Sequence, residues 1–350
     1  MKEGIKMRKL FKRFSIFLLL FILNSSFISC CTVYNPPLGL KERKFWSDFP
    51  GSKKIMSFAN NNNFVRLYKR LIKNLDNDSI ITVNRILARF QALNNNDKIF
   101  FTGDELNQLN MLDRSFYQEI IKLNEECYAW RNYYLPIKHF EVSVFYYKNG
   151  INNLKNLKYF KNKDIIDAGG FIGDSALIFS DYTNKNIHSF EPSSKNYELM
   201  RKTIKMNTKN NIIPINKGLG SKTCYAEIPL EVSSSLKTNQ KTNLENIGNN
   251  KEIVKIIKLD DYVTQNKLNV GLIKVDIEGN EQDFLKGAEK TIKEQKPSLL
   301  ISIYHNASDL FNIKPLIESW DLGYKFKIVK CIDGELCAET LLIAEIEERK

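Results

Sequence analysis

The sequence predicts an α/β fold built on a doubly wound, Rossmann-like sheet, and three stretches carry that prediction. Asp164 to Gly173, DIIDAGGFIG, reads as a buried strand running into a glycine-rich turn. Ile165 and Ile166 are β-branched core residues, Asp167 stands at the strand's C-terminal end, and Gly169, Gly170 and Gly173 let backbone amides approach a ligand. Ala176, Leu177 and Phe179 follow at helical spacing, so the turn opens a helix whose N-terminus faces a polar or charged group. The strict G-x-G-x-x-G spacing is absent, because Phe171 occupies the middle place. The second stretch, Ile187 to Phe190, ends in Glu191 and Pro192. An acid at this strand end, roughly 20 residues past the glycines, is placed to accept hydrogen bonds from ribose hydroxyls, so Asp167 and Glu191 bracket a nucleoside.

The third stretch is Gly271 to Ala288, GLIKVDIEGNEQDFLKGA. Leu272, Ile273 and Val275 make a buried strand, Asp276 and Glu278 stand at its end on alternate positions, and Gly279 turns the chain into a helix that Asn280 can cap. Ligands of open parallel sheets bind outside the carboxyl ends of the strands, which places Asp276 and Glu278 beside the same nucleoside.

Taken from its start, the 350-residue chain divides into residues 1–31, 32–136 and 137–350. Of its net charge of +12, the tip from Met1 to Arg13 carries +5, with six basic residues against Glu3, and the remaining +7 is spread over the other 337 residues. No stripe of Lys and Arg interleaved with aromatics lies near the glycine turn, so nucleic acid is not an expected partner. Phe14 to Cys31 is uncharged, with its strongest apolar run from Ile16 to Leu23, the pattern of a signal peptide or signal anchor. A nucleoside cofactor is cytosolic, so the expectation is a cytoplasmic body, with membrane association at the inner face through residues 14–31. A cleaved export signal and a helix packed on the body are the alternatives.

Residues 32–136 read as a helical subdomain. Phe64, Leu67, Tyr68, Leu71, Ile72 and Leu75 recur at helical spacing, as do Ile80, Val83, Ile86, Leu87 and Phe90, and Leu106 to Tyr128 continues the pattern. His139 to Tyr147 alternates like a strand that Gly150 ends. Beyond Glu191 helix and strand keep alternating, and a polar stretch containing Ser233, Ser234 and Ser235 is a candidate loop over the site. Ser298 to Ile303 forms a further strand that delivers Tyr304, His305 and Asn306 to the rim, where a histidine can titrate near neutral pH and accept a proton from a hydroxyl. Tyr324 to Cys331 and Glu339 to Ile346 pair around Asp333-Gly334, closing a seven-stranded sheet with an antiparallel hairpin. The six cysteines include no C-x-x-C and the three histidines are far apart, so neither a disulfide framework nor a zinc site is expected.

DIIDAGGFIGDSA, SFEP at Ser189 to Pro192, KVDIEGNEQDFLKGA from Lys274 to Ala288 and the ISIYH rim together resemble the FkbM family of S-adenosylmethionine-dependent methyltransferases, over about Glu141 to Ile346. The resemblance implies a class I methyltransferase fold with strand order 3-2-1-4-5-7-6. It implies methyl transfer from S-adenosyl-L-methionine to a hydroxyl of a sugar, glycan or secondary metabolite. Carried over by position, Asp167, Gly169 and Gly173 would line the methionine moiety, Glu191 would hold the ribose, and Asp276 and Glu278 would face the methyl group. Asp276, Glu278 and His305 are the candidate bases. Asn280 departs from the alanine common after D-x-E-G, and Ser302 stands where many relatives carry an acid. A nicotinamide-dependent oxidoreductase and a non-catalytic, membrane-associated protein retaining the fold are the rival classes.

Overall fold

The computed structural model describes residues 31–32, 63–95, 97, 99, 101–229 and 251–347. The expected anchor falls outside these residues except for Cys31, which with Thr32 pairs antiparallel to Phe101–Thr102. The Ser233 to Ser235 loop lies outside them as well. Among the described residues no helix is long and apolar enough to cross a membrane.

Helices α1 (Phe64–Ile72) and α2 (Asn77–Asn94) form where spacing predicts. The Asp76 side chain caps α2 by accepting from the Ser79 amide at 2.8 Å. Both helices pour their apolar stripes into the core of the sheet: Leu67, Leu71, Val83, Ile86, Leu87 and Phe90 pack in one cluster with residues of the sheet and its helices. Ser79 Oγ also accepts the Ile328 amide at 2.9 Å, tying α2 to the closing hairpin.

The third predicted helix is cut short. A Thr102–Glu105 capping box starts α3 (Gly103–Met111), and the helical path then widens at Leu112–Phe116 and tightens at Tyr117–Glu119 before stopping. Residues predicted helical beyond Glu119 instead open a small antiparallel sheet, β1 (Ile121–Asn124), β2 (Cys127–Trp130) and β3 (Tyr133–Leu135). Its aromatic residues decide the matter. Trp130 and Tyr133 stack at 6.2 Å across the Arg131-Asn132 turn, and Trp130 packs on Phe116 and Phe145. The strand expected over His139 to Tyr147 is absent too. Val142–Tyr146 makes one wide helical turn in which Val142, Ser143, Val144 and Phe145 are all buried. A segment covered on every side gains nothing from the two-faced strand geometry that its alternation suggests.

The main sheet begins with β4 (Asp164–Ala168), which the glycine turn joins to α4 (Asp174–Phe179). It continues through β5 (Ile187–Phe190), α5 (Ser194–Met206) and β6 (Ile212–Ile215). A short sheet follows, made of β7 (Gly218–Leu219), β8 (Cys224–Pro229) and β9 (Lys251–Ile257). The chain returns through α6 (Leu259–Asn266), β10 (Val270–Val275), α7 (Glu281–Gln295), β11 (Ser298–Ser302) and α8 (Ala307–Glu318). The hairpin β12 (Lys325–Lys330) and β13 (Thr340–Glu345) closes the sheet.

Its seven strands lie in the order β12-β13-β11-β10-β4-β5-β6. Numbering only these seven in chain order gives 3-2-1-4-5-7-6, with the seventh strand antiparallel to both neighbours and all other pairs parallel. β4 shows its two faces directly: Ile166 and Ala168 belong to the core shared with α6, α7 and α8, whereas Ile165 belongs to the core with Ala176 and Phe179 of α4.

Register sets the site. Ala168 of β4 lies opposite Phe190 of β5 and Val275 of β10, so Gly169, Glu191 and Asp276 leave the sheet side by side. The approach is close. Gly169 has φ 82, and a Cβ there would overlap the Asp276 carbonyl oxygen. Gly169→Ala is expected to lower stability by at least about 2 kcal/mol in a denaturant titration, combining left-handed strain with backbone overlap. An unchanged midpoint would refute that contact.

Candidate active site

The sequence-predicted residues assemble at one rim, and each has a distinct setting. Asp167 does not present its carboxylate to solvent. It is fully buried, accepts Ser175 Oγ at 2.9 and 3.0 Å and Ser189 Oγ at 2.6 Å, and pairs with Lys274 Nζ at 3.3 Å. Lys274 in turn donates to the Gly169 carbonyl at 2.7 Å. Burial works against the charge of Lys274, but the carboxylates of Asp167, Asp276 and Asp174 outweigh it and hold the ammonium well above the ordinary lysine value. Asp167 and Lys274 therefore clamp the carbonyl side of the glycine turn. Spacing did not single out Lys274, although a lysine inside the run GLIKV, where β10 buries every residue, is a signal that a partner must exist.

The glycines have packing reasons as well. A Cβ on Gly170 would overlap Ser189 Oγ, and one on Gly173, at φ 85, would come within 2.9 Å of Met200 Cγ. The turn's third residue is Phe171, held left-handed at φ 44 with its ring edge-on to His139 at 4.8 Å. Glu278, at φ 57, and Glu339, at φ 64, are also left-handed. Such backbone costs about 1–2 kcal/mol per residue and collects where a site dictates the conformation.

Glu191 is buried at the end of β5, where Oε2 accepts the Phe171 amide at 3.0 Å and Oε1 the Ser193 amide at 2.9 Å. A carboxylate offers about four acceptor positions, so capacity remains for a hydroxyl. Burial pushes its pKa up to about 7, against the opposing pull of the Ser193 and Phe171 amides, the Asn196 side chain and Lys274.

Across the rim, Asp276, Glu278 and His305 come together as predicted, and Glu281 joins them. His305 Nε2 lies 3.3 Å from Asp276 Oδ1 and 3.6 Å from Glu278 Oε2, while Nδ1 lies 2.9 Å from Glu281 Oε1. These are ion pairs by distance, but none is a hydrogen bond: the Glu278 contact is too long and the other two lack the angles. Burial lowers the imidazole pKa, yet Glu281, Asp276 and Glu278 together raise it to about 9. The expected near-neutral titration of His305 is thus displaced upward: the free protein carries an imidazolium there, without a lone pair to accept a proton. Burial, with Asp276, Glu281 and Glu141 nearby, raises the Glu278 pKa even though His305 opposes it.

Two further residues complete the rim. Tyr304 places its hydroxyl 3.1 Å from Glu339 Oε1 and 3.4 Å from Asp276 Oδ1. Burial and the neighbouring carboxylates of Glu141, Asp276 and Asp333 raise the Glu339 pKa. Asn280 occupies the N-cap of α7 but makes no side-chain cap, contrary to expectation. Its amide donates to the Ile277 carbonyl at 3.2 Å, and Glu281 Oε1 accepts the Ile277 amide at 3.0 Å instead. Ser302 is buried within β11 opposite Leu341, inside the sheet.

Comparison with known proteins agrees with this architecture. Residues 167–326 match the methyltransferase FkbM domain. Methyltransferase 1 of Beauveria bassiana (strain ARSEF 2860) is 25% identical over 223 residues, which span 57% of this chain and 88% of that protein. The crystal structure of methyltransferase FkbM from Methylobacillus flagellatus KT has a TM-score of 0.51 and 20% identity, over 80% of this chain. The match spans 58% of that structure's length and speaks to the fold. The acceptor capacity of Glu191 and the carboxylates facing the rim suit a ribose and a sulfonium, respectively. Over residues 167–326 the chain is thus similar to the methyltransferase FkbM domain, and S-adenosylmethionine is its methyl donor.

Proposed function

We propose that the protein is an O-methyltransferase acting on a hydroxyl of a sugar, glycan or other polyhydroxylated small molecule. The observation that carries this reading is the level rim, where Gly169, Glu191 and Asp276 emerge side by side and Glu278, His305, Tyr304 and Glu339 gather around Asp276. The donor brings a methyl group on a sulfonium already activated for displacement. The protein's task is to hold the acceptor oxygen in line with that carbon and to remove its proton.

In this reading Gly169 and Gly173 shape the turn beside the methionine moiety, with Asp167 acting through Lys274. Glu191 takes the ribose. Asp276 is the base, because His305 is already charged and Glu278, more exposed, stands farther out. His305 orients Asp276, and the carboxylate-rich rim accepts hydrogen bonds from other acceptor hydroxyls. The test is transfer of labelled methyl from S-adenosylmethionine to a panel of glycans and polyols. Label in an ether linkage supports the proposal. Label found only on amine nitrogen would replace it with N-methylation.

The Glu191 assignment has a pH signature. An ionised carboxylate accepts a hydroxyl and a protonated one does so poorly, so affinity should be full above the raised pKa and decline as pH falls through about 7. The dissociation constant for S-adenosylmethionine is expected to rise about tenfold from about pH 8 to about pH 6. Glu191→Gln should flatten that profile. Glu191→Ala should weaken binding by well over tenfold, since a hydrogen bond to a charged group is worth roughly 1.5–3 kcal/mol. Equal affinity in the alanine variant would discard the ribose placement.

A further inference from the structure

The cluster at the end of β10 has the layout of a cation site. Asp276, Glu281 and His305 each offer one ligand atom, all within 4.8 Å of one another. Around His305 Nε2, the separations of 3.3 Å to Asp276 Oδ1 and 3.6 Å to Glu278 Oε2 match the edges between ligands that each sit about 2.1 Å from one ion. On the opposite side of the ring, Glu281 Oε1 stands 2.9 Å from Nδ1. A carboxylate behind a ligating imidazole is the usual way such a ring is oriented.

A second observation is independent of that layout. Both ring nitrogens of His305 and Oε2 of Glu281 are buried without a hydrogen-bond partner, on side chains 7% and 0% exposed. Desolvated donors and acceptors left in this state are costly. Three carboxylates also surround the single imidazole, and Lys274, the nearby buried cation, is engaged by Asp167 and the Gly169 carbonyl.

We propose that this cluster binds one divalent cation through His305 Nε2, Asp276 and Glu278, with Glu281 holding the imidazole from behind. Nε2 gives up its proton to solvent on binding, as a metal-ligating histidine must. One nitrogen and two carboxylates suit a hard or borderline ion such as Mn²⁺ or Mg²⁺, and they leave coordination positions open toward the rim. The use of those positions rests on the methyl-transfer reading. There the ion would take the acceptor hydroxyl as a ligand and lower its pKa so that its proton passes to solvent, and the alkoxide would displace the thioether from the methyl group, with Asp276 as ligand in place of base. The existence of the site does not rest on that reading.

The test is titration of the full chain with Mn²⁺ in the absence of cofactor, following loss of the free-ion electron paramagnetic resonance signal, with Mg²⁺ as competitor. One saturable ion per chain is expected. Asp276→Asn and His305→Gln should each weaken it at least tenfold, and Glu281→Gln about 10–100-fold although it is not a ligand. No variant is needed for a second readout. The chain has three histidines, and bound Mn²⁺ should broaden the imidazole resonances of His305 more strongly than those of His139 and His188.

A folded wild-type chain that takes up no stoichiometric Mn²⁺ would overturn the proposal. So would uptake that Asp276→Asn and His305→Gln leave unchanged. A parallel S-adenosylmethionine titration separates the two readings: cofactor binding without ion binding removes the cation site alone, whereas ion binding without cofactor binding removes the methyl-transfer reading alone.

Discussion

Lys274→Met is expected to destabilise the protein by ~3–5 kcal/mol, the usual cost of removing one partner from a buried ion pair. Asp167 is fully buried, and its other partners among the described residues are the neutral hydroxyls of Ser175 and Ser189, which do not balance its charge. The Gly169 carbonyl loses its donor in the same change. The loss should be non-additive. Asp167→Asn in the Lys274→Met background removes the orphaned charge while an amide oxygen still accepts the serine hydroxyls, so the double variant should be more stable than Lys274→Met alone. Denaturant titrations of the two single variants and the double variant provide the check. Simple addition of the two single effects would show that the pair is not coupled.

Asp276→Asn is expected to cost about 10²–10⁴ in kcat, the range for losing a positioned general base. Its shape is nearly preserved, and its backbone amide still donates to the Ala168 carbonyl at 3.0 Å, so the rim should stay in register. In the proposed placement Asp276 also faces the sulfonium, so cofactor affinity and chemistry are measured apart. Separate measurement of kcat and of the S-adenosylmethionine dissociation constant divides the two. Base or ligand action predicts a large fall in kcat with less than a tenfold change in affinity. A loss confined to affinity would assign Asp276 to the cofactor.

Much of the fold is legible because the main-sheet strands are short, doubly buried and bounded by turn residues. IHSF and SLLIS declare themselves by composition, and β-branched runs in DIIDA and VGLIKV do the same. The rim is legible for a related reason: once the strands are parallel and in register, the residue after each strand must lie on the ligand side.

What fails is local pattern where tertiary packing decides. Residues 121–128 carry apolar spacing compatible with a helix, but Trp130, Tyr133 and Phe145 find more aromatic contact with the chain in strands and a wide turn. Partners are also invisible in sequence. Nothing in the spacing links Lys274 to Asp167, or Glu281 to the far nitrogen of His305. The same holds for the left-handed backbone at Phe171, Glu278 and Glu339, where no glycine marks the place. For the glycines the position is read correctly and the reason only in part, because Gly169 and Gly170 are required first by the protein's own backbone and side chains.

The measurement that tests the central claim most directly is calorimetric titration of the protein with S-adenosylmethionine, S-adenosylhomocysteine and NADH. Micromolar binding of the first two, one molecule per chain, and none of NADH is the predicted result. A folded chain that binds neither S-adenosyl compound would contradict the account and leave the fold as a scaffold without its chemistry.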